Sequence, residues 1–180
     1  MKEISLKMIR NNLNNIPEHD LPPSYSYRKY KEKKDKKHWA EIESSANEFE
    51  NKEKALNHFN KEFGNREKQL KSRCIFLQKN KKIIGTATAW YGKLEGEKMG
   101  RLHWVAIKPQ NQGKGLGKPL VAKAMSILKK HHEEAYLTTQ TTSPIAIKIY
   151  LDFGFEPHIQ NQKQRKGWRI IKEKIEEYKK

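Results

Sequence analysis

The chain has 180 residues, 35% of them hydrophobic and 33% charged, with one cysteine and a formal net charge of +17. This length carries one domain with a sizeable core and is short for two. The lone Cys74 excludes an intramolecular disulfide and a Cys-rich zinc site, and no run approaches the roughly 18 apolar residues of a membrane helix.

Residues 1–23 end in the Pro-punctuated IPEHDLPP and are expected to form an N-terminal extension, packed as an arm or a short helix. The first stretch, MKEISLKMIRNNLNN, lacks the apolar core of a signal peptide, so a reducing cytoplasm is the expected compartment. YSYRKYK (25–31) alternates aromatic and basic residues and reads as a half-buried strand. Trp39, Ile42, Ala46 and Phe49 then share one helix face. Ala55, Phe59 and Phe63 mark a second helix, with Asn51 as its N-cap and Gly64 as its stop.

CIFLQ (74–78), IIGTATAWY (83–91) and RLHWVAI (101–107) follow with short turns and predict an antiparallel meander. An amphipathic helix runs from Leu116 to Leu128, a strand from Ala135 to Thr139, and a helix opens at Ser143-Pro144 and stops at Gly154. A C-terminal helix is expected over 163–180, with Trp168, Ile171, Ile175 and Tyr178 as its apolar stripe. The core therefore spans 24–156 within a single domain, 1–180.

The least ordinary stretch is HWVAIKPQNQGKGLGKPL (103–120), where a strand runs through three alternate glycines into a helix. The amides of about Gln112 to Lys118 are the free N–H groups of that helix start and can converge on one anion. Gly113, Gly115 and Gly117 admit a close backbone approach, and Lys114 and Lys118 add charge. A diphosphate fits; a tight strand–helix connection is the other reading. Gln112 and Pro119 occupy positions where an ATP-binding P-loop needs Gly and Ser or Thr. The Gly-x-Gly-x-Gly spacing also differs from the dinucleotide-binding Gly-x-Gly-x-x-Gly.

QNQGKG (110–115) resembles the Gln/Arg-x-x-Gly-x-Gly/Ala motif of the GNAT acetyltransferase superfamily, and SPIAIKIYLDFGF (143–155) resembles its second landmark, Asn-x-x-Ala-x-x-x-Tyr followed by Gly-Phe. The resemblance implies an α/β (α+β) fold with a mixed, mostly antiparallel sheet. That sheet splays between the fourth and fifth strands counted from 25–31, is flanked by helices, and carries an appended C-terminal helix here. It implies acetyl-CoA in the splay, its pyrophosphate held by Gln112, Gly113, Lys114, Gly115, Leu116, Gly117 and Lys118. Its pantetheine arm would lie along Val105, Ala106 and Ile107. A bulge in the fourth strand commonly polarises the thioester carbonyl. Ser143 stands where the family has an Asn that touches CoA, and Tyr150 where a phenol protonates the leaving thiolate.

Transfer to an alkyl amine also needs a base, because such an amine is protonated at neutral pH. The fourth strand contains no acid. His103 shares a face with Val105 and Ile107 if no bulge intervenes, and a neutral imidazole can serve; Glu95 and Glu97 in the preceding turn are further options. Trp90, Tyr91 and Trp104 read as core or cleft wall, and KKHHEE (129–134) as solvated surface rather than a metal site, so no metal is expected. Cys74 lies away from the cleft, which disfavours an acyl-cysteine route.

The expected activity is direct acetyl transfer to a primary amine in a ternary complex, with the acceptor open between small molecules and peptides. A non-catalytic CoA-binding or sensing module, and an RNA- or ribosome-associated acetyltransferase, are the alternatives. The net charge favours anionic partners. Lysines far outnumber the aromatics that would stack on bases, however, and no nucleic-acid motif is present. Neither nucleic acid nor membrane is an expected partner, and oligomeric state, a dimer included, is open.

Overall fold

The structure, a computed structural model, describes residues 3–178. Its elements are β1 (Ser5–Arg10), β2 (Tyr25–Lys29), α1 (Asp35–Ser45), α2 (Lys52–Phe63), α3 (Glu67–Arg73), β3 (Cys74–Lys79), β4 (Lys82–Leu94), β5 (Glu97–Ile107), α4 (Gly117–Leu128), β6 (Ala135–Gln140), α5 (Pro144–Asp152), β7 (Glu156–His158) and α6 (Gln162–Glu177). They form one seven-stranded sheet in the order β2-β3-β4-β5-β6-β1-β7. Every pairing is antiparallel except β5 with β6. This is the mixed, mostly antiparallel, helix-flanked sheet expected from the sequence.

Strand alternation divides the core between the two sheet faces. Along β3, Cys74 and Phe76 join Trp39, Phe59 and Phe63 of α1 and α2. Ile75 and Leu77 join Leu120, Met125 and Leu128 of α4 on the other face. Asn51 caps α2 as expected, its Oδ1 accepting from the Lys54 amide at 2.9 Å. Ahead of α1, Arg28 grips the buried Asp35 with two bonds of 2.8 and 2.9 Å, so the basic run 28–37 encloses an ion pair.

Three elements were not expected. The N-terminal segment contributes a strand rather than an arm or a helix. β1 lies between β6 and β7 with Leu6 and Met8 fully buried. Arg10 at its end is buried too and donates to the carbonyls of Asn12, Asn14 and Phe153, which ties the chain start to the C-terminus of α5. α3 carries one buried apolar residue, Leu70. β7 spans three residues with Pro157 among them, as an edge strand permits. The last two residues expected in the C-terminal helix, 179 and 180, lie outside the described residues.

The sheet opens at one place. β5 and β6 pair only at Gly100↔Ala135 and Arg101↔Tyr136, although β5 runs on to Ile107 and β6 to Gln140. Beyond Arg101 the two strands part, and the edge of β5 from Leu102 to Ile107 faces a cleft instead of a neighbour. Counted from β2, this is the splay expected between the fourth and fifth strands.

Candidate active site

A bulge shapes the open part of β5. Thr86 of β4 pairs with Ala106 and Thr88 with His103, so Trp104 and Val105 together face the single Ala87. Trp104 has φ of 50°, a left-handed conformation that a bulky residue adopts only when its surroundings enforce it. Those surroundings are visible. The indole Nε1 donates to Glu62 Oε2 at 2.9 Å, and the ring packs on Trp39, Phe49 and His58 with centroids 5.2–5.3 Å away. His103 donates from Nε2 to the other oxygen of Glu62 at 2.5 Å, and His58 reaches the carboxylate at 2.9 Å. Burial opposes ionisation of Glu62, but these donors outweigh it and hold the carboxyl down to about 2. Burial keeps the His103 imidazole neutral below its ordinary range.

The turn after β5 passes through a 3₁₀ turn at Pro109–Asn111 and two glycines of positive φ, 71° at Gly113 and 72° at Gly115, before α4 starts at Gly117. An added Cβ at Gly113 or Gly115 would meet nothing within 4 Å. These glycines are therefore required by backbone conformation rather than by crowding. At Gly117 the reason is packing: a Cβ would stand 2.7 Å from Ile149 Cδ1 of α5.

Two helix ends complete the cleft. Ser143 is the N-cap residue of α5 but its side chain makes no capping bond, which leaves the hydroxyl available to a ligand. Two turns on, Tyr150 presents its ring to the cleft while 8% exposed. Burial, and then the charges of Glu48 and Glu43, push its phenol far up. Opposite, α1 ends in a Schellman turn: Asn47 has φ of 64°, its amide bonds Ser44 O at 3.1 Å, and the Glu48 amide returns to Glu43 O at 3.0 Å. That turn swings Ala46 and Glu48 onto the cleft wall.

The cleft has a volume of about 530 Å³, within the usual range for small-molecule sites. Val105, Ala106, Ile107, Gln112, Gly113, Gly115, Leu116, Gly117, Lys118, Ser143 and Tyr150 all line it. Two expected positions do not. Lys114 turns away and donates to Gln110 O at 2.9 Å. His103 is the clearer correction. The bulge breaks the alternation, so His103 falls on the same face as Ala106 rather than with Val105 and Ile107, and it is engaged by Glu62 behind the cleft.

Lys118 lines the cleft but pairs with Asp152 of α5 at 2.8 Å, so its charge is shared. Glu95 sits in the β4–β5 turn, bonded to Gln160 and near His158, and Glu97 begins β5 at the end away from the bulge. Cys74 is fully buried, its thiol pushed up to about 11 by burial. Sequence reading missed Glu43, Glu48 and Glu62. Only the four-residue spacing of His58 and Glu62 on one helix was a local sign of the last; its bonds to β5 span 41 and 42 residues.

Among the described residues no group of three His, Cys, Asp or Glu side chains is arranged to hold a metal ion, and no helix is long and apolar enough to cross a membrane. No curated protein matches the chain in sequence. Its fold resembles that of a GCN5-related N-acetyltransferase from Sphaerobacter thermophilus, with a TM-score of 0.65 and 16% identity over 87% of this chain and 48% of that one. It also resembles a protein of Pyrococcus horikoshii, with a TM-score of 0.64 and 22% identity over 76% and 92%. A tandem GNAT protein from the clavulanic acid biosynthesis pathway gives 0.60 and 13% over 86% and 50%. The chain thus spans about half the length of the first and third of these proteins. The family model described as "Acetyltransferase (GNAT) family" matches residues 22–155, and with three quarters of its length accounted for in this way the chain belongs to the GNAT acetyltransferase family.

Proposed function

We propose that the cleft takes acetyl-CoA and passes its acetyl group to a primary amine by direct attack in a ternary complex. One observation carries this reading: the open edge of β5, the glycine turn ahead of α4 and the Tyr150 phenol line a single cavity of about 530 Å³. Acetyl-CoA supplies an activated acyl group as a thioester, and the residues around the cleft suit its parts.

The amides from Gln112 to Lys118 form the anion-holding start of α4, suited to the pyrophosphate. The unpaired edge at Val105–Ile107 can bond the amide-bearing pantetheine arm as an added strand. Ile145, 64% exposed at the rim, offers apolar surface, and the free Ser143 hydroxyl offers a polar contact. A backbone N–H freed from the β4 ladder at the bulge would suit charge developing on the thioester oxygen. Tyr150 stays a phenol throughout the working pH range and can donate to the departing sulfur. The inaccessible, weakly acidic thiol of Cys74 argues against an acyl-cysteine route. A reducing compartment such as the cytoplasm fits a chain with one buried free thiol.

The test is a screen of diverse amines that follows free CoA released from acetyl-CoA, beside a direct titration of the protein with CoA. Release that depends on the amine supports transfer. CoA binding without release from any amine would leave a CoA-binding module, and no CoA binding would overturn both.

A further inference from the structure

The chain carries a formal net charge of +17, yet one end of the cleft is anionic. Glu48 lines it, opposite Tyr150. Behind Glu48 lies Glu43, on the sheet-facing side of α1 and fully buried, with no hydrogen-bond partner for either carboxyl oxygen among the described residues. A buried carboxyl without a partner is costly and persists where a site requires it. Glu43 lies within electrostatic reach of both Tyr150 and Glu48, the two groups that line this end. The other charge acting on Glu48 is a third carboxylate, Glu3. Among the described residues, the one cationic side chain in the lining, Lys118, is paired with Asp152.

We propose that Glu43 and Glu48 form the receptor for the acceptor's ammonium group and that Glu48 removes its proton, which makes the acceptor an aliphatic amine that arrives as a cation. This rests on the acetyl-transfer reading above and names its substrate class. Burial raises both carboxyls, and Glu43 well above its ordinary range, so Glu48 is the one of the pair that ionises first. One carboxylate matches a single monocation. Glu48 offers the carboxylate, and the unpartnered oxygens of Glu43 gain a donor when the ammonium enters.

The proton balance closes. One ammonium N–H bond breaks and its proton moves to Glu48, which frees the nitrogen lone pair. The nitrogen bonds to the thioester carbonyl carbon as the carbon–sulfur bond breaks. The second proton lost from nitrogen ends on the thiolate sulfur, by way of the Tyr150 hydroxyl, and Glu48 returns its own proton to solvent through the open cleft.

Calorimetry on the full chain loaded with CoA tests this with hexylamine as the cationic probe and hexan-1-ol as its neutral counterpart. Expected are saturable binding of hexylamine and none of hexanol. Glu48→Gln should weaken hexylamine by about tenfold or more while CoA affinity stays unchanged. Glu43→Gln, which keeps the shape and cannot ionise, should weaken it as well. Equal response to both probes, or hexylamine affinity untouched by Glu48→Gln, overturns the receptor and leaves acetyl transfer standing. If the wild-type protein fails to bind CoA, the acetyl-transfer reading falls and the receptor with it.

Discussion

The indole Nε1 of Trp104 donates to Oε2 of Glu62 across 2.9 Å, from a residue whose φ is 50°. An uncommon backbone conformation in a strand is thereby fixed from a helix on the sheet face. Glu62 also takes the preceding side chain, His103, on its other oxygen, so consecutive residues at the bulge are held by one carboxylate. Removing that carboxylate leaves two partly buried donors unpaired. Glu62→Ala should lower stability by about 2–3 kcal/mol in urea denaturation and reduce kcat/KM at least tenfold, with helix content in circular dichroism retained.

The same carboxylate sets an acid limit on stability. The folded protein holds Glu62 down to about 2, against an ordinary value of 4.5. Its contribution is complete above 4.5 and is lost as pH falls toward 2, on the order of 2–3 kcal/mol. His103 is also lowered from its ordinary 6.5 by burial, so the unfolded chain binds its proton first and stability starts to fall below 6.5. Both effects have the same sign. Urea midpoints at pH 7, 5.5 and 3.5 should show their main decline between pH 5.5 and 3.5 for the wild type. For Glu62→Gln the decline between pH 5.5 and 3.5 should shrink; an unchanged slope would mean that Glu62 is not the group responsible.

Most of the cleft was legible because its parts are local. The spacing of Gly113, Gly115 and Gly117, the Ser143-Pro144 helix start and the Tyr150 position each sit within about ten residues of chain, and each lines the cleft. What was not legible is long-range. Ile4, Leu6 and Met8 alternate with Glu3, Ser5 and Lys7, a strand pattern that the reading passed over, but the place of β1 in the sheet comes from partners at 135–140 and 156–158. The face of His103 depended on a bulge that no residue type announces, since Trp104 is a poor sequence signal for positive φ. Glu43 and Glu48 both fall within a stretch whose helix face was expected to run through Phe49. α1 instead ends at Ser45, and the Schellman turn at Asn47 redirects Glu48 toward the cleft.

Gly113 and Gly115 differ from Gly117 in a way that substitution should separate. Alanine at 113 or 115 meets no neighbour but must hold φ near 71–72°, at a cost of about 1–2 kcal/mol. The turn should escape the strain by changing conformation, and CoA affinity should drop by roughly tenfold. Gly117→Ala instead presses on the flexible tip of Ile149. It should mildly lower thermal stability and affect CoA affinity less. Calorimetry with CoA on the three variants gives the order.

Glu43 sets the opposite pH trend from Glu62. Its carboxyl is raised well above 4.5 by burial, so the folded state keeps a proton that the unfolded chain releases. Stability from this group is full below 4.5 and is lost as pH rises toward its folded value. Glu43→Gln removes that penalty. It should stabilise the protein by about 1 kcal/mol at pH 7 and have little effect at pH 4. Stabilisation at pH 7 together with weaker amine binding would mark Glu43 as retained for function rather than for folding.

Tyr150 permits the most direct test of the chemistry, because its hydroxyl can be removed without disturbing the fold. The ring packs edge-on to Phe155 with centroids 6.3 Å apart, and Tyr150→Phe preserves that contact, so stability should change by less than about 1 kcal/mol. CoA affinity should also hold, since the Gln112–Lys118 turn and the β5 edge are untouched. Turnover should fall by about 10² or more. The phenol is raised by burial and by Glu48 and Glu43, so it remains a donor and contributes no alkaline limb below pH 10. A donor to the departing sulfur matters most when the sulfur leaves as a basic thiolate. Replacing the alkyl thioester with an aryl thioester, whose thiol is more acidic, should therefore narrow the gap between wild type and Tyr150→Phe. A gap of the same size with both thioesters would mean that the hydroxyl acts on the amine or the carbonyl instead of the leaving group.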